Sequence, residues 1–194
     1  MKKNMYSVVQ SPVEVLMKSL FKPTVTFESE IPFDEKIILA GNHISNLDSL
    51  LLASYVYRQI NFLAKKELFK GPFKTFFESV GAILVNRDGN DMKCITDSVN
   101  LLNDDKCLLI FPEGTRNKNL DDKLILPFKA GTVMIAKRSH ADIIPFAITG
   151  DYKLIKNNLH LSFGSRIKTD DYTSKELLEK LESDVKTLII KNRK

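Results

Sequence analysis

Six polar side chains, Asn42, His43, Ser45, Asn46, Asp48 and Ser49, crowd the entry to an apolar run at residues 50–56. A helix start needs only one capping side chain. His43 and Asp48 are five positions apart, and a turn between them would fold the carboxylate back onto the imidazole. A carboxylate so placed fixes the tautomer, orients the ring and supports an imidazolium as it forms. A helix N-terminus disfavours the charged ring, so the resting group would tend to be a neutral base. The alternative is that Asn46 or Asp48 caps the helix and His43 is an ordinary loop histidine.

A second polar loop follows the apolar run 107–111, as Pro112-Glu113-Gly114-Thr115-Arg116. Open α/β sheets place their sites in loops at the carboxyl ends of strands. Gly114 lets the backbone approach a ligand closely. Arg116 carries a planar fork of donors suited to a phosphate. Glu113 would hold the arginine or accept from a substrate hydroxyl, unless the two form a structural pair that pins a turn.

The elements that must position these loops alternate along the chain. Residues 36–40, 61–64, 82–86, 107–111, 142–149 (around Pro145) and 159–167 read as strands. Helices are predicted from about Ser49, within 67–80 (late or kinked at Gly71-Pro72), over 90–103, over 130–139 and near the C-terminus. Met92, Ile95, Val99 and Leu102 would share one face of the third. Thr173-x-x-Glu176 is a capping box ahead of a stripe of Leu177, Leu181, Val185 and Leu188. Alternation of this kind predicts an α/β fold, and 194 residues suffice for a single layered domain, 1–194, with a sizeable core. There is no internal repeat or low-complexity linker.

Composition sets outer bounds. The longest stretch free of Asp, Glu, Lys and Arg is Ile37–Leu47, too short and too polar to span a membrane. Pro12, Glu14 and Lys18 interrupt any signal-peptide core, and Cys94 and Cys107 have no metal or redox spacing, so reduced thiols in a cytosol are expected. A net charge of +5 favours anionic partners: a membrane surface, a phosphorylated metabolite or nucleic acid. No clustered His, Cys or carboxylates point to a metal, and no Gly-x-Ser-x-Gly or P-loop motif is present. His140 and His160 stand alone.

Asn42-His43-x-Ser45-x-x-Asp48 followed by Phe111-Pro112-Glu113-Gly114-Thr115-Arg116 resembles the glycerolipid acyltransferases, most closely the bacterial 1-acylglycerol-3-phosphate acyltransferases. Gly81 to Arg87 is similar to the family's second block, and Ile143-Ile144-Pro145-Phe146-Ala147 to the fourth. Lys65 to Leu68 and Pro127 to Gly131 also resemble family segments. The resemblance covers about residues 37–149, the motif-bearing core. Asn117 stands where a serine is common, and Phe146 is bulkier than the usual residue.

The resemblance implies a glycerol-3-phosphate acyltransferase-like fold, a mixed, largely parallel sheet flanked by helices. It implies that His43 is the general base, with Asp48 its orienter. His43 would take the proton of the sn-2 hydroxyl of lysophosphatidic acid, whose oxygen attacks an acyl thioester on acyl carrier protein or coenzyme A. Glu113, Gly114, Thr115 and Arg116 would hold the glycerol phosphate, with Arg87 and Lys65 as helpers. No cofactor is implied, because thioester cleavage drives the reaction. Glycerol 3-phosphate or a lysophospholipid remains an alternative acceptor.

An amphiphilic acceptor implies a membrane. Arg58, Lys65, Lys66, Lys70 and Lys74 lie among Phe62, Phe69, Phe73, Phe76 and Phe77, a combination suited to an anionic lipid surface. Those phenylalanines would otherwise be core or line an acyl channel. Residues 1–22, with Leu16, Met17, Leu20 and Phe21 beside Lys18 and Lys22, are a second candidate membrane-associating segment, or a helix packed on the domain. The expected location is peripheral, on the cytoplasmic face of the cell membrane. A non-enzymatic nucleic-acid-binding protein fits the charge alone; no such motif is present and the two polar loops would go unused.

Overall fold

The computed structural model describes residues 5–65, 82–85, 91–117, 123–153 and 158–193, with side chains from residue 12 onward except at 64–65, 82–85 and 91. In chain order the elements are α1 (Met5–Phe21), β1 (Thr24–Phe27), β2 (Ile37–Gly41), α2 (Asp48–Ala53), β3 (Ile60–Lys65), β4 (Ala82–Val85), α3 (Asp91–Asn103), β5 (Cys107–Ile110), α4 (Gly131–Ser139), β6 (Asp142–Thr149), β7 (His160–Phe163), a 3-10 turn at Thr169–Asp171, and α5 (Ser174–Asn192). The strands form one seven-stranded sheet in the order β1-β7-β6-β2-β5-β3-β4. The run from β6 to β4 is parallel, β7 is antiparallel to β6, and β1 pairs parallel with β7. The fold is the expected mixed, largely parallel α/β sheet flanked by helices.

Strands β2, β5 and β6 occupy the middle of the sheet and are buried on both faces, which is why they read as continuous apolar runs rather than alternating ones. The pleat still sorts their side chains. Ile38, Ala40, Leu108, Ile110, Ile143 and Ala147 meet the layer that contains Ile95, Leu102, Val133 and the Leu177–Leu181–Val185–Leu188 stripe. Ile37, Leu39, Leu109, Ile144, Phe146 and Ile148 face the opposite way, toward Met17 of α1 and Leu51 and Leu52 of α2. Both bonds of the Thr173/Glu176 capping box are made.

Pro145 lies in an interior strand yet disrupts nothing. Its carbonyl accepts from Gly164 N at 2.8 Å, so its ring nitrogen faces the same neighbour, β7. There the chain leaves the ladder between Phe163 and the single bridge Ile143–Ile167, and no donor is called for.

Several boundaries differ from the sequence reading. Strand β1 went unread because TVTF is a short edge strand with three of its four residues exposed and none buried. The expected strand 159–167 is regular only to Phe163. On α3 the buried face is Cys94, Ile95, Ser98 and Leu102, while Met92, in the first turn, is 45% exposed. The helix expected within 67–80 lies outside the described residues.

Candidate active site

The Asn42-to-Asp48 loop leaves the carboxyl end of β2 and the Pro112-to-Asn117 loop that of β5, its parallel neighbour. Gly41 ends β2 where a Cβ would overlap the Phe146 carbonyl and ring, so only glycine lets β2 and β6 close at this point. That closure lets Asn42 act as an extra strand rung. Its side-chain Nδ2 donates to Ile148 O, and Ile148 N donates to its Oδ1, each at 2.8 Å and fully buried.

The next residue is set on three sides. His43 N donates to Glu113 Oε1 at 2.8 Å, His43 O accepts from Asn117 N at 2.7 Å, and the ring stacks on Phe111 with centroids 4.0 Å apart. His43 Nδ1 meets Asp48 Oδ2 at 2.7 Å. The same oxygen accepts from Ile44 N and Ser45 N at 2.7 and 2.9 Å, and Oδ1 accepts from Tyr152 Oη at 2.7 Å. Asp48 is completely buried and serves as the acceptor for all four of these donors. The proton between the pair therefore belongs on Nδ1, and Nε2 keeps its lone pair.

This arrangement decides between the two readings of the loop. A cap would accept from N–H groups inside the helix. Asp48 instead accepts from the loop behind it, and the residue at the cap position of α2 is Leu47, with no side-chain cap bond. The acidic side chain organises His43, not the helix.

Glu113 is also buried, at 3% exposure, and both its oxygens are committed: Oε1 to His43 N and Oε2 to Leu126 N at 2.8 Å. It does not pair with Arg116, which corrects that sequence expectation; it joins the two motif loops through their backbones. Burial lifts its carboxyl above the ordinary carboxylate range, opposed by the two backbone donors and the nearby His43. Gly114 has φ of 67°, a left-handed conformation that favours glycine, and a Cβ there would crowd the Lys129 ammonium at 2.8 Å. Lys129 is therefore a cation beside the glycine that the sequence analysis did not single out. Thr115 and Arg116 are exposed, and among the described residues no carboxylate pairs with the Arg116 guanidinium. Lys65 ends β3, whose parallel pairing with β5 puts its backbone at the same edge of the sheet. Its side chain, and the whole of Arg87, lie outside the described residues.

The structure thus gathers His43, Asp48, Glu113, Gly114, Thr115 and Arg116 and adds Tyr152. A cleft of about 790 Å³ is lined by Ile44, Ser45, Asn117 and Tyr152 and runs on to His160 and Arg193; of the gathered residues, Tyr152 alone lines it. Cys107 is no competing nucleophile, since full burial pushes its thiol up to about 12. Among the described residues no group of three metal-ligating side chains occurs, and no helix is long and apolar enough to cross a membrane.

Residues 22–149 match the family model described as Acyltransferase. A 1-acyl-sn-glycerol-3-phosphate acyltransferase of Helicobacter pylori is 30% identical over 167 residues, covering 80% of this chain and 69% of that one. The Bacillus subtilis enzyme of that name is 28% identical over 148 residues, covering 75% and 72%. The one from Borreliella burgdorferi is 28% identical over 146 residues, covering 74% of this chain and 57% of its own length. The crystal structure of the Thermotoga maritima 1-acyl-sn-glycerophosphate acyltransferase superposes over the whole of this chain and 84% of its own, with a TM-score of 0.79 at 24% identity. With the matched family model spanning both motif loops, the chain belongs to the acyltransferase family, alongside the 1-acyl-sn-glycerol-3-phosphate acyltransferases.

Proposed function

We propose that the protein transfers an acyl group from an acyl thioester to the sn-2 hydroxyl of 1-acyl-sn-glycerol 3-phosphate, giving phosphatidic acid. The observation that carries this reading is the His43–Asp48 bond beside an arginine loop, in a chain of this family. The relatives named for that reaction support the choice of acceptor. His43 Nε2 takes the hydroxyl proton as the oxygen attacks the thioester carbonyl. The tetrahedral intermediate expels the thiolate, which takes the proton back from the imidazolium. No protein nucleophile is required, because the acceptor supplies its own. Arg116, the Gly114–Thr115 backbone and Lys129 face the phosphate, while Glu113 acts at one remove by fixing the His43 backbone. Arg87 and Lys65 are assigned as further phosphate contacts from the family blocks. The donor is acyl carrier protein or coenzyme A.

Acceptors assayed side by side test the reading. Lysophosphatidate should exceed both glycerol 3-phosphate and lysophosphatidylcholine in kcat/KM. A preference for either of those would reassign the acceptor and keep the chemistry.

The protein meets its lipid from the cytoplasmic face as a peripheral protein. Val15, Leu16 and Leu20 on α1 are 65, 54 and 40% exposed, in line with residues 1–22 as a lipid-contacting segment of a single domain. Of the basic, aromatic stretch from Arg58 to Lys74, the two described members Arg58 and Phe62 are engaged within the fold. The Arg58 guanidinium donates to Pro32 O, Glu35 O and Asp105 O, and Phe62 packs against the core; the rest lies outside the described residues. The protein should float with anionic vesicles at low salt and release at high salt, and retention until detergent is added would contradict peripheral binding.

A further inference from the structure

Asp48 is bonded through both oxygens, and the two bonds come from different places. Every donor to Oδ2 belongs to the loop between β2 and α2: His43 Nδ1, Ile44 N and Ser45 N. The donor to Oδ1 is Tyr152 Oη, 104 residues later in the chain and beyond the residues 22–149 that match the family model.

A carboxylate bonded through one oxygen is free to swing about its Cβ–Cγ axis, a broad torsion with no strong staggering. Bonding at both oxygens fixes its plane, and with it the direction of the bond to Nδ1. The tyrosine is well placed for this. It follows Gly150, whose φ of 89° turns the chain at the carboxyl end of β6, the strand beside β2. Its ring packs edge-on against Phe21 at the end of α1, with centroids 5.4 Å apart and planes at 82°. Burial first, and then the Asp48 charge, hold its phenol far above the ordinary value, so the hydroxyl remains a donor across the working pH range.

We propose that Tyr152 is a positioning residue for acyl transfer: its hydroxyl fixes the Asp48 carboxylate so that the other oxygen holds His43 in the Nδ1–H tautomer. This rests on His43 being the general base. The titratable groups bonded to the pair are Glu113, from the loop after β5, which accepts from His43 N, and Tyr152 itself; the cations Arg116 and Lys129 belong to the same loop region. Phe111 and Phe21 contribute uncharged rings.

Tyr152→Phe removes the hydroxyl and keeps the ring on Phe21. Because other donors to Asp48 remain, kcat should fall about 10- to 20-fold, the low end for loss of a bond to a charged group, with acceptor KM changed less than about twofold. The pH profile should move as well. A carboxylate that loses a donor attracts the imidazolium proton more strongly, and His43 works only when unprotonated. The acid limb of kcat/KM should therefore shift to higher pH. In an Asp48→Ala background the hydroxyl has no carboxylate to hold, and adding Tyr152→Phe should change kcat less than about twofold. Replacing tyrosine by fluorotyrosine, a stronger donor, should shift the limb to lower pH; this measurement stands even if Tyr152→Phe folds poorly. Wild-type kcat with an unmoved limb, or equal slowing on top of Asp48→Ala, would overturn the proposal. If His43→Ala retains turnover, the general-base reading has failed instead, so the two failures are distinguishable.

Discussion

His43→Ala should abolish nearly all acyl transfer while leaving the protein folded. General-base assistance is usually worth roughly 10²–10⁴-fold, and the deletion removes the base outright. The loss should fall on kcat rather than on acceptor KM, because the proposed mechanism has the imidazole act on the hydroxyl and leaves the phosphate to other residues. Folding should survive because the ring is 20% exposed at the rim of its loop, and the bonds that shape the loop run through the His43 backbone, to Glu113 Oε1 and from Asn117 N. Alanine keeps both. Asp48→Asn should slow the reaction in the same direction, since the amide cannot hold the imidazolium as a carboxylate does, but it also loosens Ile44 N and Ser45 N. His43→Ala is therefore the cleaner variant. The check is steady-state kinetics beside circular dichroism, and near-normal turnover in folded His43→Ala would end the general-base assignment.

Arg116→Ala should act on the other parameter. The guanidinium is exposed, and no described residue competes for it, so its fork is available to a phosphate. Loss of a charged, bidentate contact costs about 1.5–3 kcal/mol, or roughly 10- to 150-fold in apparent KM for the acceptor. Part of the loss should reach kcat, because a loosened phosphate misaligns the sn-2 hydroxyl. Arg116→Lys should recover only a fraction, as an ammonium lacks the planar fork. Stability should be unchanged in both, because no described residue bonds the side chain. An unchanged acceptor KM in Arg116→Ala would move the phosphate site toward Lys129, Arg87 and Lys65.

The two loops were legible in the sequence because each concentrates its chemistry within a few residues. His43 and Asp48 are five apart, and Pro112 to Arg116 are contiguous. Their partnership across the sheet was less so. Glu113 read as a ligand group because residue type reveals a carboxylate, whereas its commitment to two backbone N–H groups depends on β2 and β5 being neighbours. Tyr152 left no local signal at all. It is a single tyrosine two residues past a glycine, and only the adjacency of β6 and β2 brings it to Asp48. The rule that sites gather at the carboxyl ends of strands would have pointed to it, once Asp142–Thr149 was read as a strand. The core strands were plain from their unbroken apolar runs, and β1 was not, because an edge strand carries a weaker pattern. On α3 the expected face is largely the buried one, with Ile95 and Leu102 in the core and Val99 packed against it; Met92, in the first turn, is the exception.

The most direct test of the account is thiol release measured before and after the acceptor is added. The protein is mixed with labelled acyl thioester alone, quenched in samples, and then given lysophosphatidate. Direct attack by the acceptor predicts no thiol and no label on the protein in the first phase. After addition, thiol and labelled phosphatidic acid should appear together, one for one. A burst of thiol with acyl group bound to the protein before any acceptor is present, or no phosphatidic acid with either carrier protein or coenzyme A as donor, would contradict it.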